Sequence, residues 1–219
     1  MIVFFLTLHQ IIFALPDIID TYKTIIAPSE GFYSEKGSKF ISLAFPVRSE
    51  DEVREKLQAM KKKYYDARHH VYAFVLGDYG DAYRCSDDGE PSNSSGMPVL
   101  GQLRSFGLTY TMIVVVRYFG GTKLGIPGLI NAYRTAAADA LNNATIVEKT
   151  IDASYSLTFT YDEVNFVMKC LKDFDAKIVA QYFTEDCRLD FMVKLSAEAP
   201  LVEALSKNYK IVINKMDNV

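Results

Sequence analysis

Residues Met112 to Leu129 read MIVVVRYFGGTKLGIPGL, and the way this stretch changes character along its length decides the fold. Met112 to Val116 is a block without charge and rich in β-branched residues, the pattern of a central strand covered on both faces. Such a strand delivers Arg117 and Tyr118 to its end. Further on, Leu129, Tyr133, Ala136, Ala137, Ala140 and Leu141 recur at helical spacing, and Pro127 falls in a first helical turn, where its missing N–H is tolerated. Gly120, Gly121, Gly125 and Gly128 lie between strand and helix with Lys123 among them. Glycines there permit positive φ and close approach to the backbone, and a cation beside a helix start favours an anion. Tight packing of the turn is the alternative use of the same glycines. Two phosphate-binding patterns are excluded. Gly125 is followed by Ile126 and Pro127 rather than by Lys and Ser or Thr, and the loop lacks Gly-x-Gly.

The chain has 219 residues, 49% hydrophobic and 23% charged, which is ordinary globular composition with room for one large or two small domains. A net charge of -3 and a pI near 5.7 do not provide the broad positive field used in sequence-independent duplex binding. No duplex DNA partner is therefore expected, and any nucleic-acid contact is local. Cys85, Cys170 and Cys187 are far apart and include no Cys-x-x-Cys pair, which argues against a zinc site or a disulfide framework and for reduced thiols in the cytoplasm. Ile2 to Leu15 is mostly apolar but shorter than a membrane span, contains His9 and Gln10, and is preceded by no basic residue. We read residues 1–20 as an apolar N-terminal extension from a frayed or mis-assigned start, with a short hydrophobic anchor as the alternative. No membrane partner is expected.

Ahead of the opening stretch, Lys39 to Val47 reads as a strand. Ser49 and Glu52 form a capping box, and Val53, Leu57, Met60 and Tyr64 a helical stripe, which predicts a helix over 49–64 ending in Lys61 to Lys63. Val71 to Leu76 is a second strand. His69 and His70 precede it, and adjacent residues of an extended chain face opposite ways, so the two make a poor chelating pair. Ala82 to Cys85 is a short strand running into SDDGEPSNSS, Ser86 to Ser95, where Asp87, Asp88 and Glu90 crowd around Gly89. That spacing can bind Mg2+, supply an acid and a base, or make a polar turn. Ser94 or Ser95 then caps a short helix with Pro98 in its first turn and Gly107 at its end. Two helix starts, one preceded by acids and one by glycines and Lys123, are candidates to face each other across a cleft.

The pattern changes after about Asn143, and a domain boundary is expected at Val147 to Ile151. Ile151 to Thr160 alternates apolar and polar residues strictly, as a half-buried strand does. A helix capped by Asp162, strands at Lys177 to Phe183 and Arg188 to Leu195, a short helix opened by Pro200, and a last strand at Lys210 to Asn214 complete the order βαββαβ. That order is the ferredoxin-like plan.

DARHHVYAF (Asp66 to Phe74), SDDGEP (Ser86 to Pro91) and VVVRYFGGTKLG (Val114 to Gly125), in this order, resemble the YigZ/IMPACT family. The resemblance spans about Glu30 to Leu141 and extends to the C-terminal ferredoxin-like domain of bacterial members. It implies an α+β fold: a ribosomal protein-like domain over residues 21–147, its sheet carrying helices on one face and related to a domain of elongation factor G, then a ferredoxin-like domain over 151–219. Eukaryotic members regulate translation initiation by competing for the activator of a stress kinase; bacterial members have no established biochemical role. The resemblance marks His69, His70, Asp87, Asp88, Glu90, Pro91, Arg117, Tyr118, Gly120, Gly121, Lys123, Gly125 and Tyr133 as site residues. The family pattern Gly-Thr-Ala-Gly-Arg after the acidic turn is replaced here by Asn93 to Met97, which removes a cation at Met97. A second cation is lost at Asn131, and a glycine gives way to Pro127. Arg104 and Arg134 are the candidates to compensate.

The function expected from these features is a non-enzymatic regulatory or binding protein linked to translation. Its partner would be RNA, the ribosome or a translation-associated protein, met through the glycine-rich and acidic-turn motifs without a cofactor or a bound metal. An enzyme using a metal or carboxylates on a small phosphorylated or peptidic substrate is the alternative. A structural role, with Arg117 paired to a carboxylate of the acidic turn, is the third reading.

Overall fold

Val114, Val115 and Val116 are fully buried, as befits a strand with apolar side chains on both faces. The computed structural model describes residues 18–183 and 186–216, so the apolar segment up to Leu15 lies outside the described residues. The chain divides into two units, Thr21–Ile151 and a second built from Asp152 onward with the residues just before Thr21.

In chain order the first unit contains β1 (Thr21–Ile25), β2 (Ser29–Glu35), β3 (Ser38–Pro46), α1 (Glu50–Lys63), β4 (His69–Leu76), β5 (Ala82–Ser86), α2 (Gly96–Ser105), β6 (Thr111–Tyr118), α3 (Gly125–Asn142) and β7 (Ile146–Thr150). Five strands form one antiparallel sheet in the order β2-β3-β6-β4-β5, with β6 at the centre. The remaining two, β1 and β7, pair with each other, and Lys23 of β1 adds one isolated parallel bridge to Leu108. Within the sheet Arg117 of β6 stands opposite Phe40 of β3 on one side and His69 of β4 on the other.

The alternation along β6 sorts the core into two layers. Ile113 and Val115 join Phe40, Val71 and Ala73 under the apolar sides of α2 and α3. Met112, Val114 and Val116 join Leu43, Phe45 and Phe74 on the other face, where Val53, Leu57 and Met60 of α1 cover them. The mixed α+β class is as expected, but the expectation of helices on one face is corrected. A strand apolar on both sides needs a cover on both sides, and α1 supplies the second.

Local sequence fixes these elements. Ser49 Oγ accepts the Glu52 N–H at 3.3 Å and Glu52 Oε2 accepts the Arg48 N–H at 2.9 Å, while Lys61, Lys62 and Lys63 occupy the last turn of α1. Gly31 of β2 lets α3 press directly on the sheet, because a Cβ there would lie 2.2 Å from the Ala140 nitrogen.

The second unit contains β8 (Asp152–Thr160), α4 (Val164–Asp173), β9 (Lys177–Tyr182), β10 (Asp186–Lys194), α5 (Leu195–Ser206) and β11 (Val212–Met216), its sheet ordered β11-β8-β10-β9 and antiparallel throughout. This is the ferredoxin-like arrangement. One helix start is corrected: α5 begins at Leu195, and Pro200 sits inside it rather than opening it. Its inner face is lined by Leu157, Leu189, Phe191, Leu201 and Leu205. Among the described residues no helix is long and apolar enough to cross a membrane.

Candidate functional site

At the end of β6 the Arg117 side chain turns toward the α3 side of the sheet and becomes the middle of a buried polar cluster. Its Nη1 donates to Glu90 Oε1 at 2.6 Å, and Tyr133 Oη, from α3, donates to the same oxygen at 2.7 Å. Arg117 is 6% exposed and the Glu90 side chain 4%. Two rings flank the guanidinium, with Phe40 at 5.5 Å and Phe119 at 5.7 Å from its central carbon to the ring centroids. Burial pushes the Tyr133 phenol far up, and the negative Glu90 beside it adds to the effect. Arg117 thus pairs with a carboxylate of the acidic turn. The pairing uses only one of its nitrogens. Nε is buried without an acceptor, an unusual state for a charged donor.

The rest of the acidic turn is engaged elsewhere. Asp87 Oδ1 accepts the Ser95 and Gly96 N–H groups at 3.1 and 2.8 Å and the Ser95 hydroxyl at 2.7 Å, while Oδ2 accepts the Asn93 N–H at 2.8 Å. Asp87, rather than Ser94 or Ser95, therefore satisfies the start of α2, so that helix end is closed to any ligand. Burial alone would raise the Asp87 pKa; the bonds from Ser95 Oγ and from the Gly96, Asn93 and Ser95 N–H groups outweigh it and hold the carboxyl below its usual value. Asp88, at a φ of 42° next to Gly89 at 86°, aims Oδ2 at the His70 N–H, 2.6 Å away. Asp88 also meets Lys61 at 3.6 Å. Among the described residues no three His, Cys, Asp or Glu side chains are grouped to hold a metal ion.

The two histidines separate as adjacent strand residues must. His70 is buried on the α1 face, where Nε2 donates to the Tyr64 carbonyl at 3.1 Å. His69 faces the α3 side, and its Nδ1 donates to the Asp88 carbonyl at 2.8 Å. A carbonyl only accepts, so the Nδ1 proton is fixed and Nε2 of neutral His69 is an acceptor.

Beside this cluster opens a cavity of about 470 Å³, within the size range of small-ligand sites. Glu90 and Arg117 line it, with Arg68 and His69 on one side and Lys123 and Leu124 on another; Phe119, Ile126 and Leu129 give it apolar surface. The first turn of α3 borders it at Gly125, which has a φ of 72°. The N-cap residue of α3, Leu124, offers no side-chain hydrogen bond, so the first N–H groups of an 18-residue helix lack the cap that Asp87 gives α2. Neither Lys123 nor Arg68 forms an ion pair with a described residue.

Of the residues singled out in the sequence, His69, Glu90, Pro91, Arg117, Lys123 and Gly125 come together at this cavity, and Tyr133 stands behind Glu90. The others do not line it. Tyr118 faces the α1 side and donates to Asp66 Oδ1 at 2.8 Å. Gly120 belongs to packing: its N–H meets Ser38 Oγ at 3.1 Å, and a Cβ there would lie 1.9 Å from the Gly37 carbonyl carbon. Gly121, with a φ of 86°, completes the same turn. Arg104 and Arg134 are not among the lining residues, and Arg104 stacks on Tyr83 instead. The cation that does line the cavity without having been foreseen is Arg68. Its signal was its place beside His69 in DARHHVYAF.

A family model described as the Impact N-terminal domain matches residues 36–141, a range that contains every residue lining the cavity. In Escherichia coli, IMPACT family member YigZ is 34% identical over 146 residues, covering 66% of this chain and 72% of the relative. The chain belongs to the IMPACT family. A family member from Thermus thermophilus is 34% identical over 170 residues, 77% of this chain and 92% of its own. IMPACT family member YvyE of Bacillus subtilis is 37% identical over 131 residues, and the match spans 60% of either chain. Among solved structures, a protein described as hypothetical superposes with a TM-score of 0.66 at 26% identity, covering 92% of this chain and all of that one.

Proposed function

We propose that this IMPACT family member is a non-enzymatic, cytoplasmic binding protein of the translation apparatus, and that it contacts single-stranded RNA through the cavity beside Arg117. The observation that carries the reading is the α3 N-terminus, which lacks a side-chain cap and borders a cavity lined by Lys123 and Arg68, neither ion-paired with a described residue. Backbone N–H groups, a helix dipole and two cations suit a phosphate. Phe119, 56% exposed beside them, offers a ring on which an unpaired base stacks. The overall charge of -3 confines the attraction to this patch, which favours a flexible single strand over a duplex.

The carboxylate-based enzyme has less support, because Asp87 and Asp88 are held by α2 and β4 and Glu90 by Arg117. Retardation of single-stranded RNA at low salt, together with co-sedimentation with ribosomes, tests the binding reading. Lys123→Ala and Arg68→Ala should each reduce the slope of log affinity against log salt by about 0.7. Absence of both retardation and co-sedimentation overturns the reading.

A further inference from the structure

We infer that the cavity seats one unpaired guanine, whose Watson–Crick edge donates to Glu90 Oε2 and His69 Nε2. The inference rests on the RNA reading for the strand that carries the base, and adds which base is selected. Glu90 Oε1 accepts both bonds of the buried cluster, from Arg117 and from Tyr133, and these two residues position the carboxylate. Oε2 accepts no bond from a described residue and, unlike Arg117 Nε, is not sealed from solvent. The Glu90 side chain is 4% exposed and the residue lines the cavity. What little surface that carboxylate keeps is therefore an unpaired acceptor opening there. His69 supplies a second. Its Nδ1 donates to the Asp88 carbonyl at 2.8 Å, Nε2 bonds to no described residue, and the ring belongs to the lining of the same cavity. A carboxylate oxygen and an unprotonated imidazole nitrogen only accept, so the group that faces them must donate.

The four RNA bases meet that demand unequally. Guanine carries N1–H and the N2 amino group side by side, adjacent donors in one plane. Adenine and cytosine offer an amino group next to an unprotonated ring nitrogen, whose lone pair would face that of Glu90 or His69. Uracil has a single N–H between two carbonyls. A base of the wrong kind sets acceptor against acceptor or leaves a buried one unpaired, which costs more than a missing contact in water. The rest of the cavity suits a planar ring with a phosphate attached. Phe119, Ile126 and Leu129 give apolar surface for its faces, and a space of about 470 Å³ accommodates one nucleotide. Lys123 and the start of α3 take the phosphate, as in the RNA reading.

The test measures the affinity of the full chain at low salt, by fluorescence anisotropy, for short oligouridine strands in which one central base is guanine, adenine, cytosine or hypoxanthine. Guanosine and adenosine monophosphates serve as competitors. The guanine strand should bind about tenfold or more tightly than the adenine and cytosine strands. Hypoxanthine keeps N1–H and lacks the amino group, and its strand should fall between them. Glu90→Gln turns a donor toward the seat and should erase the guanine preference. Where that variant does not fold, His69→Ala, at a partly exposed position, should diminish the preference, and the hypoxanthine comparison on the unaltered chain still decides. Equal affinity for the guanine, adenine and cytosine strands overturns the inference and leaves RNA binding standing, and so does tightest binding of the adenine or cytosine strand. Binding of guanosine monophosphate ahead of adenosine monophosphate, with no strand bound, supports the guanine seat and overturns RNA binding. Failure of every strand and of both mononucleotides overturns both.

Discussion

Glu90 Oε1 accepts from both Arg117 and Tyr133, so three side chains from a turn, a strand and a helix share one oxygen. Removing one partner of a buried pair leaves the other charge uncompensated, which costs more than the pair contributes. Arg117→Ala is accordingly expected to lower stability by about 3–5 kcal/mol, read from the urea midpoint at constant slope; an unchanged midpoint would mean that Arg117 serves the ligand alone. Asp87 gives a pH signature. Its folded pKa lies below the 3.8 of an ordinary aspartate, so its contribution is complete above that value and is lost as the pH falls through the folded pKa. Asp87→Asn should flatten the acid limb of the stability curve below about pH 4 and leave its shape at neutral pH unaltered. A limb as steep as that of the wild type would sink this account.

At the scale of elements, α3 does two jobs, packing on the sheet with one end and bordering the cavity with the other. The close approach at Gly31 fixes the first job. Gly31→Ala must push Ala140 and its helix away from β2, with an expected loss of about 1–3 kcal/mol from overpacking and a lower melting temperature; a neutral substitution would show that the helix can slide. The residues themselves made β6, its loop and α3 readable, because a β-branched run, a glycine cluster and a 3.6-residue stripe each have one physical reading. The capping box did the same for α1. Less was readable where short strands carry no alternation. Ile146–Thr150 is mostly exposed, and only its pairing with Thr21–Ile25 makes it a strand. Three acids in four positions looked like one cluster. Positive φ at Asp88 and Gly89 sends them to three different partners, a consequence of backbone path that composition does not carry. Arg68 was missed for a similar reason, since the sequence shows a charge beside a strand but not which cavity it lines.

For the whole molecule, the division at Ile151 makes a further expectation concrete. A fragment of residues 21–151 should fold alone, with a single cooperative unfolding transition and the RNA affinity of the full chain, because the cavity is lined from within it; a fragment that stays unfolded would show that the first unit needs the second. The order β2-β3-β6-β4-β5 has a consequence in time. The central strand is the last of the five to be synthesised, so β3 and β4 emerge with unpaired backbone edges facing a gap that only residues 111–118 fill. Until Tyr118 has cleared the exit tunnel neither core layer can close. The nascent chain therefore cannot complete its sheet until more than half its length is made; the layer under α1 becomes complete with β6, and the layer under α2 and α3, with the cavity that α3 borders, follows only when residues 125–142 have emerged.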